Sequence, residues 1–191
     1  MEKLSSEQSE TSDRVLEFDL SAELRHGIAV SNLAYALSQE LGLPHEQCYD
    51  LAIAGMLHDI GKLKLRSYIN GQESNPMVIE ELKYVRMHST LGYEELKDQG
   101  YSDFVLESIL YHHENYDGSG YPSNLAGKEI PIGARILRVC DVFCALSQDR
   151  SYRKAFDKHT VMELMIDEIK NLDLEVFLAF QRVVHASQAG K

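Results

Sequence analysis

The run LAIAGMLHDIG at residues 51–61 constrains the chain more than any other stretch. Wound at helical spacing it is apolar on most sides, which predicts a helix enclosed by other helices. Yet it ends in His58-Asp59, an imidazole and a carboxylate at the end of an apolar segment. Burying an unpaired carboxylate is costly, so the rest of the chain must supply what offsets it.

The same pattern recurs. The stripe Val30, Leu33, Leu37, Leu41 extends back one turn to His26. Leu51, Ala54 and His58 share a face that Asp59 adjoins. Leu106, Ile109, Leu110 and His113 follow helical spacing, as do Val105, Ile109 and His112, while Leu137, Asp141 and Ala145 line up on a later helix. With His88, five histidines and two aspartates are candidates for one site. A single buried histidine is ordinarily a hydrogen-bonded core residue, and a single aspartate ordinarily a solvated charge. Seven such groups on apolar faces fit neither reading, whereas a transition metal binds neutral imidazole and carboxylate together. Adjacent helical residues point about 100° apart. His58-Asp59 and His112-His113 therefore each suit two ions, or one ion plus a bridge, better than chelation of one. Two ions a few ångströms apart hold a bridging hydroxide and stabilise the attacking and leaving oxygens at phosphorus. Lys62, one turn beyond His58, either brings positive charge to a phosphate or completes a helix C-terminus.

The global numbers fit that chemistry. The 191 residues carry a formal net charge of -11 and a pI near 5.1, with 44% hydrophobic residues. Such a surface repels DNA, RNA and anionic membrane, so an anionic substrate needs local positive charge, which metal ions provide. Cys48, Cys140 and Cys144 are too sparse for a disulfide framework and imply a reducing compartment. No apolar run reaches membrane-spanning length and the N-terminus lacks a signal-peptide core, which predicts a cytoplasmic protein. Residues 1–16, polar and Ser/Glu-rich, read as an arm, and residues 17–191 as a single all-α domain with about seven helices. The first helix runs from Ser21 to Leu41 and stops at Gly42; the second starts near Pro44. Asn75-Pro76 opens another toward His88. Further helices are predicted at 102–115, 132–148, 158–171 and 174–187, with a long Gly/Pro loop between 116 and 131.

HDIGK at 58–62 and HHENYDGSGYP at 112–122 resemble the HD-GYP branch of the HD phosphohydrolases. The resemblance runs from His26 to about residue 160 and includes IPIGARILRVCDVFCAL at 130–146 and DRSYRKA at 149–155. HDIGK alone indicates only the broad HD group; HHE followed by DGSGYP is far more specific. The resemblance implies an all-helical fold, a centre of two or three metals (often iron or manganese) and hydrolysis of the bacterial messenger cyclic di-GMP, in proteins often attached to sensory or receiver domains. It carries the metal-ligand positions onto His26, His58, Asp59, His88, His112, His113 and Asp141, with Asp59 as bridging carboxylate. Lys62 matches a lysine that contacts the scissile phosphate, and Arg150 and Arg153 match basic positions that grip substrate phosphates. Gly118, Gly120, Tyr121 and Pro122 form the signature loop. Tyr121 there either stacks on a base, docks a signalling partner or packs the loop down.

The departures shape the expectation. Three-metal members carry a glutamate where this chain has Ala22, and Glu23 next door is expected to point elsewhere, which favours two ions. Cys144 stands where the family often has aspartate and Ser151 where it often has proline. The segments 64–74 and 172–176 also depart from the usual pattern. Cys140 and Cys144 flank Asp141 and read as small core residues. The expected function is a metal-dependent cyclic di-GMP phosphodiesterase. The alternatives are a phosphohydrolase acting on another nucleotide or phosphoester, and a weakly active signalling scaffold.

Overall fold

A computed structural model describes residues 20–64, 85–149 and 153–189. Among the described residues the main helices are α1 (Leu20–Glu40), α2 (His45–Leu57), α3 (His88–Leu96), α4 (Asp103–Tyr111), α5 (Ile132–Ser147), α6 (Lys158–Asp167) and α7 (Leu174–Ala189). Short 3-10 turns lie at Gly127–Glu129 and Ile169–Asn171. There is no strand among the described residues, as the sequence predicts. The 1–16 arm, the Asn75-Pro76 helix start, Arg150 and Ser151 lie outside the described residues.

Helix ends follow local chemistry. Gly42, at φ +71, ends α1 in a Schellman arrangement: Leu43 N–H donates to Ser38 O and Gly42 N–H to Gln39 O, both at 3.0 Å. Ser102 caps α4 by accepting from Val105 N–H, and Asp157 caps α6 by accepting from His159 and Thr160 N–H. The segment predicted as one helix over 158–171 divides at Asp167 into α6 and a 3-10 turn. Asp173 then caps α7 through Glu175 N–H and forms a buried ion pair with Arg135 at 2.5 Å, tying α7 to α5.

Helix α1 packs along α2, α2 also meets α4 and α5, and α5 touches α1, α4, α6 and α7. Leu37, Leu51, Ile109, Ile136, Leu137 and Phe180 are fully buried between them, and each such side chain stabilises the fold by about 1.5–3 kcal/mol. Helix α2 is less enclosed than its sequence predicts, because Tyr49, Ile53 and Met56 keep an exposed edge. The bundle brings the end of α2, the start of α3, the end of α4 and the middle of α1 and α5 to one place.

Gly61, the glycine of HDIGK, makes one of these approaches possible. A Cβ built on it would overlap His88 O and lie 2.7 Å from Gly92 N. The turn after α2 thus lies directly on the first turn of α3, which sets His88 opposite Asp59. Backbone cannot retreat as a flexible side chain can, so we predict that Gly61→Ala costs about 3 kcal/mol or more, the upper range of overpacking. Denaturant midpoints of the metal-free protein measure this; a loss below about 1 kcal/mol would show that the two backbones separate easily.

Candidate metal centre

The seven candidate ligands converge. Asp59, His88, His112 and His113 form one group and His26, His58 and Asp141 another, with the ligand atoms of each group within 4.8 Å of one another. His26, His58, His88 and His112 are at most 1% exposed. Asp59 lies between the groups: Oδ1 is 3.2 Å from His88 Nε2, while Oδ2 is 3.3 Å from His58 Nε2 and 4.0 Å from His26 Nε2. Asp141 Oδ1 is 2.9 Å from His26 Nε2 and 3.8 Å from His58 Nε2.

Helix ends aim the imidazoles. The sequence places His58 and His112-His113 within helices, but α2 stops at Leu57 and α4 at Tyr111. The last turn of a helix has carbonyls without intrahelical partners. His58 Nδ1–H donates to Gly55 O at 2.8 Å and His112 Nδ1–H to Ile109 O at 2.6 Å. His88 Nδ1–H donates to Val85 O in the same three-residue pattern. His26 Nδ1–H donates to Gln148 Oε1 at 3.2 Å. Each bond fixes the ring and turns Nε2 toward the cluster.

That tautomer decides what the cluster can hold. In neutral imidazole with Nδ1 protonated, Nε2 is a lone pair. The Nε2 atoms of His88 and His112 face each other at 3.3 Å, His113 Nε2 lies 3.1 Å from His88 Nε2, and His26 Nε2 faces a carboxylate oxygen. The buried His58 Nε2 makes no well-aligned hydrogen bond, although Asp59 Oδ2 lies 3.3 Å away. Facing lone pairs repel unless a cation lies among them, so the donor set fits divalent metal.

The electrostatics agree. Burial disfavours charge on Asp59 and Asp141, but the surrounding histidines, and Lys62 beside Asp59, outweigh it and hold both carboxyls well below the usual range. Burial keeps His112 neutral and lowers His113 to about 3. Burial also opposes charge on His58, but Asp59 and Asp141 overcome it and raise His58 to about 10. Without metal, a proton on His58 supplies part of the missing positive charge.

The surroundings depart from expectation in several places. Lys62 Nζ does reach the cluster, 2.5 Å from Asp59 Oδ2, but it also lies 3.4 Å from Glu23 Oε2. Glu23 therefore faces the centre. It stands three residues before His26, and that spacing shares a helix face. Arg153 is not helical. It caps the end of α5, its guanidinium donating to Ala145 O at 2.9 Å, Lys154 O at 2.8 Å and Leu146 O at 3.3 Å, and it lies over the Phe156 ring. It still borders the cleft of about 380 Å³ that opens on His26, Asp59, Lys62, His113 and Asp141. Tyr121 stacks on His113, centroids 4.7 Å apart. Cys140 and Cys144 are buried, unlinked core residues. Gln148 gave no sequence signal. The Gly55 and Ile109 carbonyls are readable once the helices are known to stop before each histidine.

Sequence and fold are shared with known proteins. Residues 5–176 match the HD domain family. The chain belongs to that family, in its HD-GYP branch. It is 36% identical over 160 residues to a cyclic di-GMP phosphodiesterase of Pseudomonas aeruginosa, covering 83% of this chain and 38% of that protein. It is 37% identical over 157 residues to 3′3′-cGAMP-specific phosphodiesterase 1 of Vibrio cholerae, covering 80% and 36%. The chain thus spans little more than a third of these relatives. Among solved structures, the HD-GYP protein Bd1817 of Bdellovibrio bacteriovorus superposes with a TM-score of 0.66 at 23% identity, over 85% of this chain and 52% of that one. The HD domain of Listeria monocytogenes phosphodiesterase PgpH, in complex with cyclic-di-AMP, gives 0.64 at 16% identity, over 89% and 91%. Both share the helical fold. No described helix is long and apolar enough to cross a membrane.

A cation bound only by the native cluster stabilises it by mass action, about 2.7 kcal/mol at a hundredfold excess over Kd. We predict that chelation lowers Tm and that returning manganese(II) restores it. A Tm indifferent to both treatments would contradict the metal reading.

Proposed function

We propose that this HD-GYP domain is a metal-dependent phosphodiesterase that hydrolyses cyclic di-GMP, with two divalent transition ions, iron or manganese, held by the seven clustered residues. The observation that carries this reading is Asp59, whose two carboxylate oxygens face different ligand groups. His26, His58 and Asp141 would hold one ion and His88, His112 and His113 the other. Such ions supply Lewis-acid charge to phosphate oxygens and activate water.

The chain's own residues do the rest. Lys62, already drawn to the cleft by Asp59 and Glu23, neutralises a nonbridging phosphate oxygen as it gains charge. Burial works against its charge, but the two carboxylates outweigh that and raise its pKa, so it remains an ammonium at neutral pH. Arg153 places a second fixed charge on the cleft wall; Arg150, outside the described residues, is assigned to a substrate phosphate from the family resemblance alone. The two relatives named for cyclic di-GMP and for 3′3′-cGAMP favour a cyclic dinucleotide of two purine nucleotides over other phosphoesters. Hydrolysis of 3′3′-cGAMP by the same geometry is the second reading.

Two outcomes test the proposal. Asp59→Asn should lower both metal content and turnover, the latter by more than about a hundredfold, because one carboxylate serves both groups. Lys62→Met should retain metal and lose roughly ten- to a hundredfold in kcat, as expected for one charge-assisted contact worth about 1.5–3 kcal/mol. Metal analysis and steady-state kinetics on cyclic di-GMP, 3′3′-cGAMP and cyclic di-AMP measure these effects. Near-normal turnover by folded Asp59→Asn would sink the shared-carboxylate mechanism. Turnover of 3′3′-cGAMP alone would move the substrate to the second reading, and no turnover of any of the three by metal-loaded protein would favour the scaffold.

A further inference from the structure

Four of the five clustered histidines are aimed by a hydrogen bond from Nδ1, to Gln148 Oε1 or to the carbonyls of Gly55, Val85 and Ile109. His113 is the exception: among the described residues its Nδ1 has no hydrogen-bond partner. Its ring instead lies against Tyr121, centroids 4.7 Å apart and planes inclined by 23°. Without a bond at its far nitrogen, the imidazole is limited by its ring contacts: His112 at 4.1 Å and His88 at 4.8 Å on the cluster side, and Tyr121, the one near-parallel neighbour among them, from the loop.

The signature loop is built to keep Tyr121 there. Tyr121 N–H donates to His113 O at 3.2 Å. Gly120 packs so closely on the preceding turn that a Cβ would lie 2.5 Å from Glu114 Cα. Glu114, 2% exposed, accepts Ser123 N–H at 2.6 Å across the turn. Asn124 Nδ2 donates to Gly120 O at 2.5 Å, and Arg138 donates to Asn115 Oδ1 at 2.9 Å. Arg86 lies over the Tyr121 ring, 5.5 Å from its centroid. Among the described residues the Tyr121 hydroxyl makes no hydrogen bond. The ring is what the fold engages, and His113 takes up part of the surface that a base would need.

We propose that Tyr121 is a positioning residue for His113, fixing by ring contact the orientation that hydrogen bonds fix in the other four histidines. The loop that carries it thereby becomes part of the metal centre's support. This rests on the reading of His113 as a metal ligand.

The test is a cobalt(II) titration of metal-free protein, followed by visible absorption, on wild type, Tyr121→Phe, Tyr121→Leu, Tyr121→Met and His113→Ala, each shown to be folded by circular dichroism. Loss of an orienting partner typically weakens metal affinity ten- to a hundredfold. Tyr121→Phe should stay within about twofold of wild type, while Tyr121→Leu and Tyr121→Met bind the weaker ion roughly ten- to a hundredfold less tightly, with an altered spectrum. KM for the nucleotide at saturating metal should not change. Wild-type cobalt affinity in a folded Leu or Met variant would overturn the proposal, and so would a raised KM at unchanged affinity. A Phe variant as weak as the Leu variant would assign the role to the hydroxyl and overturn it too. If His113→Ala binds cobalt like wild type, the ligand reading itself falls; if only that variant is weakened, the ligand reading stands and the Tyr121 role is rejected.

Discussion

Lone pairs aimed at one another inside a helical bundle set the terms for the rest of this structure. His88 and His112 present Nε2 to each other at 3.3 Å, and His26 presents Nε2 to Asp141. Nothing in an apolar core stabilises that arrangement except positive charge among the donors. The backbone enforces it, because carbonyls left over at helix ends take the Nδ1 protons of His58 and His112 and leave the opposite nitrogens facing inward. Burial then removes the water that would otherwise separate the groups. The fold and the cation requirement are therefore one feature: the ends of α2 and α4 meet the start of α3 beside α1 and α5, and at the ends of α2 and α4 the last turn itself sets the ligand's direction.

Charge is distributed to match. A chain of net charge -11 has little long-range attraction for a phosphodiester. Lys62 and Arg153 nevertheless border the cleft, and Arg138 stands behind the signature loop. Lys62 is held by Asp59 and Glu23, and Arg153 by carbonyls at the end of α5. Both cations are thus held in place by the protein before any anion arrives, which limits the side-chain ordering that binding would require.

Much of this was legible in the sequence because helical periodicity and ligand chemistry coincide. The stripe through Val30 and Leu37 led to His26, and the apolar face of residues 105–110 led to the two histidines after it. Periodicity could not show where the helices stop, since residues 112 and 113 continue the spacing even though α4 ends at Tyr111. That error concealed the orienting carbonyls. Glu23 was misplaced because Ala22, one turn before His26, was taken as the position that faces the site, whereas the three-residue spacing of Glu23 faces it equally well. Gln148 and Arg138 reach the site across long stretches of chain, to His26 and Asn115, and no local pattern encodes such contacts. Gly61 was legible as a motif glycine, but its backbone contact with α3 appears only in three dimensions.

In the proposed centre one carboxylate, Asp59, joins two cation sites. Anomalous diffraction from crystals of the manganese-reconstituted protein tests it most directly. Two anomalous peaks about 3.5–4 Å apart are expected, as in other two-metal sites, with Asp59 shared between an ion at His88, His112 and His113 and an ion at His26, His58 and Asp141. A single peak, or two peaks that do not share Asp59, would contradict it.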